Sequence, residues 1–377
     1  MNIGFDAKRA YLNRSGLGNY SRNLLRGLIE YFPENNYTAF TPVVEATRFH
    51  NYLEAKQNVT VIKPRDTMRP AFHPLWRSFL IPRSFSKLNL DIYHGLSAEL
   101  PSSLLGKKVK QVVTIHDLIF LRYPQLYHRV DTAIYDKKTK QACKNADVVL
   151  AISNQTKADL IEFYKVPENK ITVAYQSCDP LFSKPANAED RASVKSIYKL
   201  PDDYILFVGT IEERKNLLQL IKAINSSPLL KDIPLVVVGK KKKHFDEILR
   251  YISHNIIQNQ ILFFDAIPTH LLPSFYQLAT VFVYPSIFEG FGIPIIEAMF
   301  SKVPVITSTN SCFEEAGGPA SKYVDPNNFE ELALAIESVL SNKQLQQKMI
   351  IEGLEYAQRF SPLAAASSVV QVYKSLM

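Results

Sequence analysis

A chain of 377 residues is long for one hydrophobic core and natural for two domains, and its 46% hydrophobic and 21% charged content excludes extensive disorder. No apolar run approaches the roughly 18 residues that a membrane span needs. The net charge of +8 favours anionic partners such as nucleotide diphosphates, nucleic acid or phospholipid, while Cys143, Cys178 and Cys312, without C-x-x-C spacing or an even count, read as free thiols of a reducing compartment and not as a metal cluster.

Residues 2–6 read as a first strand, and the N-terminus lacks the apolar core of a signal peptide, so a cytoplasmic location is expected. Gly16-Leu17-Gly18-Asn19-Tyr20 follows, then a helix over 20–31. The glycine string is a weak G-x-G-x-x-G, since Ser21 holds the sixth place. No acidic residue ends a second strand about 20 residues on, which disfavours a NAD fingerprint. Strands are expected at 37–41 and 59–62. Between 65 and 87, Arg69, Arg77, Arg83 and Lys87 interleave with Phe72, Trp76, Phe79, Leu80 and Ile81. Such a stretch either packs against the first sheet, the preferred reading, or rests on an anionic bilayer. Strands follow at 91–94 and 111–115, the second leading into His116-Asp117 at a strand's carboxyl end, where open α/β sheets place ligands. A His-Asp pair alone is more often a structural hydrogen bond. The strand at 148–152 runs into Ser153, which helix capping explains without a catalytic role, and 171–174 closes the first set.

A polar, proline-containing stretch at 180–188 reads as an interdomain linker. Beyond it, strands at 204–208, 235–238, 261–264, 281–284 and 303–307 alternate with helical stretches, the pattern of parallel sheets with crossover helices. Gly209-Thr210-Ile211-Glu212-Glu213-Arg214-Lys215-Asn216 puts a planar fork beside a point charge at a helix start. Two cations there oppose the helix macrodipole unless an anion, such as a diphosphate, offsets them. Lys240 to Lys243 form a run that reads first as a solvated loop, contact with a nucleotide or anionic ligand being the second reading. Phe288 to Met299 reads as a glycine loop entering a helix, with Glu289 on the loop, Pro294 at the first helical position and Glu297 one turn in. Unpaired N–H groups at such a helix start suit phosphate, and a carboxylate can accept two hydrogen bonds from a ribose diol. Residues 362–377 show helical periodicity through Ala366, Val369, Val370 and Tyr373.

Glu289 and Glu297, eight residues apart, resemble the paired glutamates of retaining glycosyltransferases of the GT-B fold, family 4. The 209–216 string is similar to that family's G-T-x-E-x-R-K-N signature. His116-Asp117-Leu118 through Pro124 resembles the H-D-L...P segment of its mannosyltransferase-like members, and Gly16 with Gly18 matches its first-domain glycine loop. The resemblance implies an α/β protein of two Rossmann-like domains with parallel sheets. Residues 1–183 would form the acceptor side, 188–361 the nucleotide-sugar donor side, and 362–377 a C-terminal helix crossing back to the N-terminal domain.

The same resemblance implies a retaining hexosyltransferase, mannose-type with GDP-mannose favoured, serving a glycan or lipid-linked acceptor in surface polysaccharide synthesis. The nucleotide sugar is then a substrate and no cofactor is expected. The sequence has no Asp-x-Asp pair, so no metal is expected and cationic side chains must neutralise the diphosphate. By carry-over, Arg214 and Lys215 stabilise the leaving group, His116 steadies the donor sugar and Glu297 holds the ribose. Glu289 and the backbone of Gly292, Ile293 and Pro294 orient sugar hydroxyls, while Gly16, Gly18, Gly209 and Thr210 complete the donor contacts. A cleft closing about 180–188 is expected to unite the two sets.

Two departures from the family pattern leave base and acceptor identity open, Gln176-Ser177-Cys178-Asp179 in place of N-G-V-D and the lysine run, while Ser15 stands where many relatives have another glycine. Three competing activities are compatible with parts of the pattern. A glycoside hydrolase would use two carboxylates but leaves Arg214-Lys215 unexplained. A sugar-nucleotide epimerase of the same fold would convert the donor without an acceptor, and a nucleotide-binding module would bind it without turnover. Nucleic-acid binding is not expected, because the basic residues form no recognition module.

Overall fold

Apolar runs bounded by turn residues form the strands of two parallel sheets. Leu235-Val236-Val237-Val238 is buried throughout, as in sheets covered by helices on both faces, so no alternation of apolar and polar residues survives there. The computed structural model describes residues 1–377 except 14, 45–46, 66, 102–108 and 266. The chain divides into two compact units, Met1–Ser177 with Phe360–Met377, and Cys178–Arg359.

The strands of the first unit are β1 (Asn2–Asp6), β2 (Asn36–Phe40), β3 (Val59–Ile62), β4 (Ile92–Gly95), β5 (Lys110–Ile115), β6 (Val148–Ala151) and β7 (Ile171–Val173). They pair in parallel in the order β3-β2-β1-β4-β5-β6-β7. The chain steps one way from β1 and then returns to the other side, so the switch point lies between the carboxyl ends of β1 and β4. Ile3 and Phe5 of β1 join Leu24, Leu28, Ala366 and Val370 in one core, where burying each large side chain stabilises by roughly 1.5–3 kcal/mol.

The C-terminal helix, Pro362–Ser375, packs on the first unit against the helix Gly16–Tyr31, as the sequence implies. Their approach depends on Gly27, where a Cβ would lie 3.1 Å from the Pro362 carbonyl oxygen and 3.3 Å from Ala366 Cβ. The Gly16–Tyr31 helix begins four residues earlier than its sequence suggests, so Gly16 and Gly18 belong to its first turn and not to a preceding loop. A short helix, Lys8–Leu12, fills the interval after β1.

The 65–87 stretch forms helical turns over His73–Leu75, Trp76–Leu80 and Ile81–Ser84. One face packs as preferred: Trp76, Ile81 and Phe85 are buried with Phe40, Leu90 and Tyr93. The other face exposes Phe72, Leu75 and Phe79, each about half open to solvent, beside exposed Arg65, Arg69, Arg83 and Lys87.

The second unit holds β8 (Ile205–Val208), β9 (Leu235–Val238), β10 (Ile261–Phe264), β11 (Val281–Tyr284), β12 (Val305–Ser308) and β13 (Lys322–Val324), parallel in the order β10-β9-β8-β11-β12-β13. Its switch point falls between β8 and β11. The short strand β13 is not among those that the sequence predicts. Pro180–Ser183, within the expected linker, is a 3-10 turn of the second unit, anchored by Phe182 edge-on to Tyr276 with ring centroids 5.5 Å apart.

Candidate active site

The loops that leave β8 and β11 flank the second unit's switch point, where open α/β sheets hold ligands. After β8 the Gly209 N–H donates to the Val238 carbonyl and the Ile211 N–H to the Lys240 carbonyl, both at 2.9 Å, so this loop runs beside the one following β9. Gly239, which no sequence motif singles out, makes that possible: a Cβ there would lie 1.8 Å from the Gly209 carbonyl oxygen. Thr210 lies between these two anchored residues. Arg214 and Lys215 then occupy a 3-10 turn, Glu213–Lys215, separated by left-handed Asn216 from the helix Leu217–Ser226.

From β11 the chain passes Ser286 and reaches Glu289. One carboxylate oxygen, Oε1, takes the Lys215 ammonium at 2.5 Å and the Arg214 guanidinium at 2.7 Å. The same oxygen accepts from the Tyr284 hydroxyl at 3.0 Å and from the Ser286 hydroxyl at 2.6 Å, whereas Oε2 takes none of these contacts. Arg214 also donates to the Phe288 carbonyl, and through Nη2 to Glu212 at 2.9 Å. Glu212 in turn holds Lys242 of the lysine run at 2.6 Å. Burial alone would raise the Glu289 pKa, but the Lys215 and Arg214 charges override it and hold the carboxyl at about 2. Burial lowers the Lys215 pKa, against the pull of Glu289.

Gly292 adopts φ 114, a conformation that favours glycine, and so turns the chain into the helix Ile293–Phe300 with Pro294 in its first turn. Proline forfeits nothing there, because first-turn N–H groups have no partner within the helix. Glu297, on the same helix, accepts from the Tyr276 hydroxyl at 2.9 Å. Its carboxyl is raised to about 8, mainly by burial and further by the Asp179 charge, with the Tyr276 bond opposing. The structure thus brings Arg214, Lys215 and Glu289 into direct contact, with Gly209, Thr210, Gly292, Ile293, Pro294 and Glu297 in the same unit. Sequence reasoning misses Tyr284, Ser286, Tyr276 and Glu212. Tyr284 ends an apolar strand and carries the only local signal, a polar tip at the sheet's carboxyl edge.

Gly16, Gly18 and His116 lie in the first unit. A Cβ at Gly18 would lie 1.8 Å from the Asn13 carbonyl oxygen, whereas one at Gly16 meets nothing within 4 Å, so Gly18 is needed for close packing and Gly16 leaves open space. His116 follows β5 and donates from Nε2 to the Leu96 carbonyl at 2.9 Å, which leaves Nδ1 as the acceptor of the neutral ring. Burial lowers its pKa to about 4. Tyr20 stands edge-on to the ring, centroids 4.6 Å apart. Asp117 accepts from the Ile119 N–H at 3.1 Å, and Ser153 caps its helix by accepting from the Thr156 N–H at 3.0 Å. Among the described residues no group of three or more His, Cys, Asp or Glu is placed to hold a metal.

The family described as Glycosyltransferase Family 4 matches residues 14–180, and Glycosyl transferases group 1 matches residues 189–356. The chain is a GT-B glycosyltransferase related to these families. The glycosyltransferase is 28% identical over 288 residues to O-antigen chain mannosyltransferase B of Escherichia coli, a match covering 76% of this chain and 74% of that protein. It is 26% identical to the serotype-specific mannosyltransferase WbdA of Escherichia coli over 76% of this chain, though only 36% of that longer protein. Its fold matches that of HepE from Anabaena in complex with UDP-glucose, with TM-score 0.75, 16% identity and 100% of both chains covered.

Proposed function

We propose that the protein transfers a mannose-type hexose from a nucleotide-diphosphate sugar to a glycan or lipid-linked acceptor in surface polysaccharide synthesis, with retention at the anomeric carbon. The observation that carries this reading is the convergence of Arg214, Lys215 and Glu289 at one switch point. A fork and an ammonium side by side suit a diphosphate whose charge grows as the sugar–phosphate bond breaks. Glu289 Oε1 already takes four donors, so the carboxylate is a poor nucleophile; Oε2 accepts a sugar hydroxyl instead. The acceptor hydroxyl attacks the face that the diphosphate leaves, and a departing phosphate oxygen takes its proton. Glu297 accepts from the ribose diol, and His116 Nδ1 accepts from a donor-sugar hydroxyl.

The relatives named for mannose transfer favour GDP-mannose, and the HepE complex keeps UDP-glucose as the second reading. Thermal shift separates them. A donor at 100 times its Kd stabilises the folded state by about 2.7 kcal/mol, so GDP-mannose should raise Tm well above UDP-glucose at equal concentration. The reverse order would reassign the donor.

Arg214 and Lys215 supply the neutralising charge, so transfer is expected to continue unchanged in excess EDTA. Loss of turnover that only Mg²⁺ or Mn²⁺ restores would contradict this.

The described residues include no helix long and apolar enough to cross a membrane. A lipid-linked acceptor would instead be met at the cytoplasmic face, where Phe72, Leu75 and Phe79 enter the headgroup region and Arg65, Arg69, Arg83 and Lys87 face anionic lipid. Each cation near such a surface is worth about 1 kcal/mol. Co-sedimentation with phosphatidylglycerol vesicles should therefore fall at least tenfold in Phe72→Ser/Phe79→Ser and with rising salt. Equal binding to neutral vesicles would sink the electrostatic part.

A further inference from the structure

The first unit has its own switch point, between β1 and β4, and the carboxyl ends of those strands open into a cavity of about 410 Å³. That lies within the roughly 300–1,000 Å³ range of small-molecule sites. Asp6, the last residue of β1, and Glu99, beyond β4, both line it, and Arg77 stands between them. Arg77 Nη2 reaches Glu99 at 2.6 Å and also pairs with Asp6. Lys138 reaches the second Glu99 oxygen at 3.3 Å. Burial would raise the Glu99 pKa, but Arg77 and Lys138 hold it at about 2. The guanidinium thus meets two carboxylates, while its Nε–H is buried without an acceptor among the described residues.

An anion entering beside Asp6 and Glu99 would be repelled by two carboxylates, because they already engage Arg77 and Lys138 and leave exposed Lys137 as the remaining cation of the described lining. A hydroxyl would not. Each carboxylate offers about four lone-pair sites. Asp6 takes the Lys8 N–H and Arg77, and Glu99 takes Arg77 and Lys138, so both keep capacity for further donors. Ile134 and Leu100 supply apolar wall for the C–H face of a ring.

We infer that this cavity is a carbohydrate subsite for an uncharged sugar ring, whose vicinal hydroxyls donate to the Asp6 and Glu99 carboxylates while Arg77 fixes their spacing. Resting on the glycosyl-transfer reading above, this makes one sugar unit of the acceptor a neutral ring and not a sugar phosphate or uronate. Lys8 and Lys138 close by leave room for a negatively charged aglycone farther out, but not in the ring seat.

Saturation-transfer NMR on the full-length protein, with a panel of methyl hexosides against the corresponding hexose 6-phosphates, tests the subsite without any donor. Methyl hexosides should show transfer, at least one clearly above the others, and the phosphates should not compete with it. Ile134→Trp, which adds bulk at the cavity's rim and replaces no member of the ion pairs, should abolish the signal and raise the acceptor KM at least tenfold. Asp6→Asn and Glu99→Gln should weaken binding about tenfold; should either fail to fold, Ile134→Trp still decides. Tighter binding of hexose phosphates, no binding of any methyl hexoside, or an Ile134→Trp protein that binds as wild type would overturn the subsite. Absence of nucleotide-stimulated transfer with hexoside binding intact would instead count against the glycosyl-transfer reading alone.

Discussion

Arg214→Ala and Lys215→Ala should each lower kcat by about 10²-fold or more, the scale of losing one preorganised electrostatic contact to developing charge. Both side chains meet on Glu289 at the mouth of the β8 and β11 loops, so a diphosphate seated there gains charge against two fixed cations as the sugar departs. The loss should fall on kcat more than on KM, because the contacts strengthen toward the transition state. Removing one cation also leaves a buried carboxylate short of a partner, which costs about 3–5 kcal/mol of stability. Arg214→Lys separates the two effects: it keeps a positive charge but loses the planar fork, so the fold is held while kcat still falls. Unchanged kcat in both alanine variants would remove these residues from leaving-group stabilisation.

Glu297→Gln should make the protein more stable and a poorer donor binder at once. The Glu297 carboxyl is raised from its ordinary 4.5 to about 8, so between those values the folded protein holds a proton that the unfolded chain has released. Stability contributed by this group therefore falls as pH rises from about 4.5 to about 8 and is flat beyond. Glutamine never has to ionise. The variant should match wild type near pH 4 and exceed it increasingly up to pH 8, by at most about 5 kcal/mol, less for whatever solvent reaches the carboxyl. Above about pH 8, where Glu297 is ionised, donor affinity should fall by about 1–3 kcal/mol as a charged acceptor of the ribose hydroxyls is lost. Chemical denaturation across pH and calorimetry with nucleotide diphosphate read the two arms. A variant that gains stability and binds nucleotide as wild type would leave Glu297 a buried acid without a ligand.

The parallel-sheet architecture is legible because buried strands such as Leu235–Val238 are uninterrupted apolar runs. Lys322–Val324 is not, since three residues with a lysine and a tyrosine carry no periodicity. The start of the Gly16–Tyr31 helix is hidden for a different reason. Glycine in a helix costs about 1 kcal/mol against alanine, so two glycines argue for a loop. Only the Asn13 carbonyl against Gly18 reveals the close approach that overrides propensity. At the candidate site, the sequence puts Arg214, Lys215 and Glu289 on strand-end loops of one half. The β8–β11 pairing that lets residues 74 positions apart share one oxygen is a property of topology. Tyr284 and Ser286 completing that oxygen's partners, and Tyr276 burying Glu297, follow from packing that no local motif encodes.

Donor turnover with water or a short glycan as acceptor, followed by ¹H NMR across GDP- and UDP-hexoses in EDTA, tests the central assignment most directly. Wild type should release nucleotide diphosphate from one preferred donor, with the sugar appearing first in the donor's own anomeric configuration, and Arg214→Ala should release at least about 10²-fold less. Release of the inverted anomer, or equal release by the variant, would contradict the assignment.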